Sequence, residues 1–173
     1  MCIRDRASGT GSLAGRRASS GIIKTMNRAF LGLGSNLGDR ENYLRQAVAT
    51  FRDLKAVSGI YETDPIGGPE QDPYLNIVIE LRTERKAKEL LMHAQALELK
   101  AKRSREIVWG PRTLDVDVLW VENEEVRESD LVVPHPRMRN RAFVMVPLGE
   151  LAPEFLEDWK DPHEGDVRRI QDW

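Results

Sequence analysis

Tyr74-Leu75-Asn76-Ile77-Val78-Ile79-Glu80-Leu81 alternates without a break. Leu75, Ile77, Ile79 and Leu81 fall on one side of an extended chain, and Tyr74, Asn76, Val78 and Glu80 on the other. A strand of this kind belongs inside a sheet with one wholly apolar face, and Asn76 lies off that face. The apolar side needs a cover, and the flanking sequence predicts one. After Thr83 a helix carries Ala87, Leu90, Leu91, Ala94 and Leu97 as its buried stripe and runs into the basic stretch Lys100 to Arg105. Before the strand, Asp39 is placed to cap a helix in which Leu44, Ala47, Val48 and Phe51 recur at i, i+3, i+4 and i+7.

Three further strands complete the pattern. Ala29 to Leu33 is an apolar run ended by Gly34-Ser35-Asn36, Val57 to Thr63 is β-branched and aromatic, and Leu114 to Val121 is β-rich but holds two aspartates. Between the second and third strands, Asp64-Pro65-Ile66-Gly67-Gly68-Pro69 must be a loop, since two prolines and two glycines break pairing. The order βαββαβ predicts an α+β fold, the ferredoxin-like sandwich. Its mostly antiparallel sheet carries both helices on one face and leaves the other for an active site.

Composition bounds the rest. A chain of 173 residues with 40% hydrophobic and 31% charged residues suits one folded domain, assigned to residues 27–173. The single cysteine, Cys2, excludes an intramolecular disulfide, a CxxC redox pair and a thiolate zinc site, which points to a reducing, cytoplasmic setting. No apolar run reaches the ~18 residues a membrane span needs. Residues 1–26 are rich in Ala, Ser and Gly and lack helix or strand periodicity. They read as a disordered or spurious extension before a start at Met26, with an Arg-rich organelle transit segment as the alternative. That segment holds five of the 26 basic residues and one of the 28 acidic ones, so the body keeps 21 and 27, a net charge of -6. Local clusters of arginine in an acidic body are therefore informative.

One such cluster surrounds Trp109-Gly110-Pro111-Arg112-Thr113-Leu114-Asp115-Val116-Asp117. Residues two apart on a strand share a face, so Asp115 and Asp117 set two carboxylates side by side, their α-carbons roughly 6.5–7 Å apart. Left alone they repel. Solvated aspartates on an edge strand would tolerate that, and a divalent cation would remove it. Mg²⁺ suits the second case, because it takes one or two carboxylates and fills its other positions with water and substrate phosphates. Arg103, Arg105 and Arg112 precede the pair, and His135, Arg137, Arg139 and Arg141 follow it, as guanidinium forks around a polyphosphate would. His135, between two prolines, reads as a turn residue or a phosphate donor. His93 and His163 have no evident partners. Gly32-Leu33-Gly34-Ser35-Asn36-Leu37-Gly38 misses the dinucleotide fingerprint by one position, and no P-loop motif is present.

GLGSNLGDR (32–40), YETDPIG (61–67), DPYLN (72–76), WGPRTLDVD (109–117) and VPHPRMRNRAFVMVPLGELAPE (133–154) together resemble hydroxymethyldihydropterin pyrophosphokinase of folate biosynthesis, over about residues 28 to 157. The resemblance implies a ferredoxin-like enzyme that moves a pyrophosphoryl group from ATP to the hydroxymethyl of the reduced pterin, leaving AMP. It implies that Asp115 and Asp117 hold two Mg²⁺ ions, that Arg103 and Arg112 grip the triphosphate, and that Gln95, Glu98, Arg105, His135 and Arg141 lie near the nucleotide. Trp109 would belong to a loop that closes over both substrates. Thr63, Pro65, Ile66, Tyr74, Asn76 and Phe143 resemble the pterin pocket, where a flat heteroaromatic ring needs a stacking partner and an amide on its edge. A monomer acting on small molecules is implied, with no nucleic acid or membrane and with dihydropteroate synthase as a possible associate. Two features depart from the family's pattern: Lys102 where glycine is common before Arg103-Ser104-Arg105, and Asp64 where proline is common. An oligonucleotide-binding module or a metal-dependent nuclease are the alternatives; each calls for a basic track that this body lacks.

Overall fold

The computed structural model describes residues 26–65, 70–101, 112–163 and 165–173. The predicted disorder of the N-terminal segment therefore lies outside the described residues, as do Ile66, Arg103, Arg105 and Trp109.

The strand that decides the fold runs as β4 (Tyr74–Thr83) and pairs antiparallel with β1 (Asn27–Ser35) on one side. On its other side it pairs with β2 (Leu54–Val57) and β3 (Ile60–Thr63). The path across the sheet is β5-β1-β4-β3-β8, where β5 is Asp115–Val121 and β8 is Val167–Gln171. Every pairing in it is antiparallel. A separate two-stranded ribbon joins β6 (Val126–Arg127) to β7 (Val132–Val133).

The predicted alternation decides which side chains face which layer. Leu75, Ile77, Ile79 and Leu81 join Ala29, Leu31, Leu33, Val116 and Val118 in the main core, under α1 (Arg40–Val48) and α2 (Ala87–Lys100). Asp39 caps α1 through an Asn42 N–H bond of 3.2 Å to its carboxylate. Leu44, Ala47 and Val48 of α1 and Ala87, Leu90, Ala94 and Leu97 of α2 are all buried there.

Three features differ from the sequence-based expectation. The strand expected over Val57 to Thr63 is two strands, broken at Ser58-Gly59. There the Ser58 hydroxyl accepts from the Val78 N–H at 3.0 Å, and the Gly59 N–H turns to Glu150 at 2.6 Å. A side-chain oxygen thus replaces a ladder bond, which periodicity cannot reveal. Second, the sheet face opposite α1 and α2 is not wholly open. A third helix, α3 (Ala142–Leu151), lays Val144, Met145 and Leu148 against Phe30, Val78 and Leu119. Its sequence, AFVMVPLGEL, is apolar nearly all round and includes Pro147, so no stripe or cap announces it. Third, the tail supplies β8, which covers the edge of β3, and the Arg45 guanidinium stacks 4.7 Å from the ring centre of the terminal Trp173. No helix among the described residues is long and apolar enough to cross a membrane.

Candidate active site

The part of the second face that α3 leaves uncovered is built by strand register. Asp115 and Asp117 of β5 lie opposite Gly34 and Gly32 of β1, and the same glycines lie opposite Asn76 and Val78 of β4. With no side chains on β1 at these two positions, the middle of the sheet is a shallow floor between the carboxylates and the Asn76 amide. A Cβ on Gly34 would stand 2.9 Å from Asn76 Oδ1, whereas one on Gly32 would meet the Leu119 side chain at an ordinary 3.5 Å. A register shift between Phe30 and Leu31 marks a bulge in the β1/β5 ladder. It lets both Leu119 and Trp120 pack on the α3 side while Val116, Val118 and Val121 stay in the main core.

On the β5 side each carboxylate has an arginine. Arg112 forms an ion pair with Asp115, and Arg141 Nη1 lies 3.4 Å from Asp117 Oδ2. The carboxylate side chains keep 22% and 40% of their exposure, so both remain within reach of a ligand. Burial pushes Arg112 down, but Asp115, with Tyr74 and Asp117 adding to it, more than reverses this and holds the guanidinium firmly charged. Arg141 is lowered, chiefly by burial, with Asp117 opposing. His135 donates its main-chain N–H to Leu119 O at 2.8 Å, and its Nδ1 accepts from the Arg137 N–H at 3.2 Å. Burial first, and Arg141 and Arg137 next, depress its pKa against the pull of Asp117 and Asp115. The imidazole is thus neutral near pH 7, a turn residue whose ring also belongs to the charged cluster.

On the β4 side Asn76 is buried, and its Nδ2 donates to Thr63 Oγ1 at 2.7 Å. The Tyr74 hydroxyl donates to Gln71 Oε1 at 3.4 Å. Phe143 sits in the first turn of α3 with the Arg141 guanidinium 5.5 Å from its ring centre, and Pro65 is half-buried just past the end of β3. Arg112, Arg141, Asp115 and Asp117 thus converge at one end of the floor, and Thr63, Tyr74 and Asn76 at the other.

Two residues expected near the nucleotide lie on α2. Gln95 is exposed on α2, in the helix layer. Glu98 is 6% exposed, and its Oε1 accepts the Val116 N–H at 3.0 Å, which caps the open edge of β5 between the two aspartates. Gly32, Gly34, Ser35 and Asn36 stand out in the sequence as a strand end and a family motif, not as site residues. Glycines two apart in a strand leave one face bare, and that spacing was the available signal.

The donor set is selective. Among the described residues no group of three or more His, Cys, Asp or Glu side chains converges as a metal cage. Two carboxylates alone, flanked by guanidinium groups, fit a hard cation that shares its coordination with water and phosphate oxygens.

Residues 30–153 match the family model described as 7,8-dihydro-6-hydroxymethylpterin-pyrophosphokinase (HPPK). The chain belongs to the HPPK family. It is 43% identical over 152 residues to the 2-amino-4-hydroxy-6-hydroxymethyldihydropteridine pyrophosphokinase of Bacillus subtilis (strain 168), covering 85% of this chain and 90% of that protein. The protein of the same name from Methylorubrum extorquens is 42% identical over 139 residues, covering 76% of this chain and 86% of the relative. The bifunctional protein FolKE of Lactococcus lactis subsp. cremoris is 39% identical over 131 residues, 73% of this chain but 38% of that longer protein. Among solved structures, an HPPK-DHPS in complex with substrates superposes with a TM-score of 0.55 at 12% identity, over 84% of this chain and 46% of that one. The α+β fold with an antiparallel sheet is thus shared with a solved HPPK-containing protein. The oligonucleotide-binding and nuclease alternatives gain no support from any of these relatives.

Proposed function

We propose that this HPPK-family chain transfers the pyrophosphoryl group of ATP to the hydroxymethyl of 6-hydroxymethyl-7,8-dihydropterin, a step of folate biosynthesis. The hydroxymethyl oxygen attacks the β-phosphorus. The bond from that phosphorus to the α,β-bridging oxygen breaks, AMP departs with that oxygen, and the hydroxyl proton passes to solvent. The observation that carries this reading is the shared floor: the Asp115/Asp117 pair and the Asn76 amide face one another across Gly32 and Gly34.

Asp115 and Asp117 are the residues that would hold Mg²⁺, two ions in the full reading, and bound Mg²⁺ supplies charge neutralisation along the triphosphate. Arg112 and Arg141 already flank those carboxylates, and their forks suit non-bridging phosphate oxygens as negative charge grows on the leaving AMP. Neutral His135 can donate from Nε2 to a phosphate oxygen. At the other end Asn76 offers an acceptor and a donor to the pterin edge, Tyr74 and Phe143 offer aromatic surface, and Thr63 fixes the Asn76 amide from behind. Holding hydroxyl and phosphorus in line is the main service such a site performs. Arg103, Arg105 and Trp109 are assigned to the nucleotide side and Pro65 and Ile66 to the pterin side. Gln95 and Glu98 complete the nucleotide side, Glu98 through β5. The strand order supports a ferredoxin-like description, and we extend the proposal to a cytoplasmic monomer able to associate with dihydropteroate synthase.

The deciding experiment incubates the protein beginning at Met26 with ATP, Mg²⁺ and the hydroxymethyldihydropterin and follows nucleotide products. Pterin-dependent AMP is expected. ADP, or no product from folded protein that binds both substrates, would sink the proposal.

A further inference from the structure

Asn36, just past the end of β1, is 1% exposed and stands between the two ends of the floor. Its main-chain N–H donates to Arg112 O at 3.0 Å, and its Oδ1 accepts the Arg112 N–H at 2.7 Å. The backbone on both sides of Arg112 is therefore clamped by one residue. The neighbouring Ser35 hydroxyl, also buried, donates to the next carbonyl, Thr113 O, at 2.7 Å. In the other direction Asn36 Nδ2 donates to Gln71 Oε1 at 2.9 Å and to Asp72 O at 3.1 Å. Gln71 Oε1 is also the acceptor for the Tyr74 hydroxyl. One carboxamide thus turns its oxygen to the segment bearing Arg112 and its nitrogen to the segment leading into Tyr74 and Asn76.

Resting on the function proposed above, we propose that Asn36 is a positioning residue that couples the nucleotide and pterin halves of the site, fixing Arg112 relative to Tyr74 without touching either substrate. Only a short carboxamide can do this. Asp has the length but offers acceptors alone, and Ser lacks the reach to both segments. Because each buried bond is costly to leave unmade, an error at Asn36 passes to both sides.

The test uses that asymmetry. Asn36→Asp keeps an acceptor for the Arg112 N–H but turns an oxygen toward Asp72 O; Gln71 can rotate its amide to adapt, whereas a main-chain carbonyl cannot. Binding of the dihydropterin and of a non-hydrolysable ATP analogue is measured separately by calorimetry, alongside AMP formation. For Asn36→Asp the pterin Kd is expected to rise about tenfold while the nucleotide Kd stays within about twofold. For Asn36→Ala both rise, and kcat falls about a hundredfold as the reacting groups lose alignment. Equal shifts in both ligands with Asn36→Asp, or no shift, overturn the coupling role. If Asn36→Ala loses its cooperative melt, Asn36→Asp decides. If both do, Gln71→Ala decides, since it removes only the pterin-side partner and must raise the pterin Kd alone. A wild-type protein that forms no AMP defeats the functional reading instead, so the two failures are distinguishable.

Discussion

The two faces of the one sheet obey different rules. Under α1 and α2, Ala29, Leu31 and Leu33 of β1 and Leu75, Ile77, Ile79 and Leu81 of β4 are buried to within a few per cent, and the sequence shows them as plain alternation. On the other face the same strands present Gly32, Gly34, Asn76 and Glu80, and β5 presents two aspartates. The first face stabilises the fold by burying area. The second gives up area at β1 and places like charges in neighbouring rows, features that stability alone does not favour and a ligand does. A set of substitutions can therefore separate the faces: on one, stability should change and chemistry survive; on the other, the reverse.

The largest effect is expected at β5. Asp115→Ala or Asp117→Ala should lower pterin-dependent AMP formation by about a hundredfold or more, and leave the melting temperature unchanged or raised, since each removes a half-exposed carboxylate from a strand. Loss of the cooperative melt in either variant would show that the two faces are not separable. Next comes Leu31→Ala beneath the helices. Leu31 is fully buried, so denaturant unfolding should show a loss of about 2–5 kcal/mol, with kcat of the remaining folded fraction intact at low temperature. Gly34→Ala is expected to be subtler. The new methyl would press on Asn76 Oδ1 and should raise the pterin KM about tenfold, while Gly32→Ala, with ordinary clearance, should change it by less than about threefold. Equal effects at the two glycines would remove the floor as the reason for this spacing.

What was legible in the sequence follows the same division. Leu75 to Leu81, most of the stripes of α1 and α2, and the Asp39 cap are set by local periodicity and short-range bonds and lie where the pattern placed them; Phe51 joins the core from beyond the end of α1 at Val48, and Leu91 is only partly buried. Asp115 and Asp117 could be read as one face because strand period alone decides that. The Ser58-Gly59 break could not be read, because its cause is a hydrogen bond to β4 and a carboxylate on α3. Nor could α3, whose all-round apolar sequence reflects burial between the sheet and the 3-10 turn Pro153–Leu156 rather than a surface helix. Glu98, expected near the nucleotide from the family resemblance, also accepts the Val116 N–H, a partner 18 positions away that only the folded chain brings within reach.

His93 shows how a residue without a sequence partner acquires a measurable role on the stabilising side. The imidazole stacks on Phe51 with ring centres 4.5 Å apart, and its two nitrogens approach the Thr50 hydroxyl at 2.8 Å and Arg85 Nη1 at 3.1 Å. Arg85 is itself paired with Asp53 at 2.6 Å. A guanidinium can only donate, so the nitrogen facing it is an acceptor and the ring is neutral. Burial, then the Arg85 charge, lowers the His93 pKa, with Asp53 opposing. The sign follows directly. The unfolded chain protonates this ring near its ordinary value of about 6.5, while the folded protein resists until a lower pH. Between those two values the unfolded state holds more protons, so this residue's contribution to stability falls as pH drops and is fully present above about pH 7.5. His93→Gln should therefore flatten part of the decline in melting temperature between about pH 6.5 and 5, and leave AMP formation at pH 8 within about twofold of wild type. An unchanged slope would mean that acid sensitivity arises elsewhere, and a loss of activity at pH 8 would mean that the helix-covered face reaches the chemistry after all.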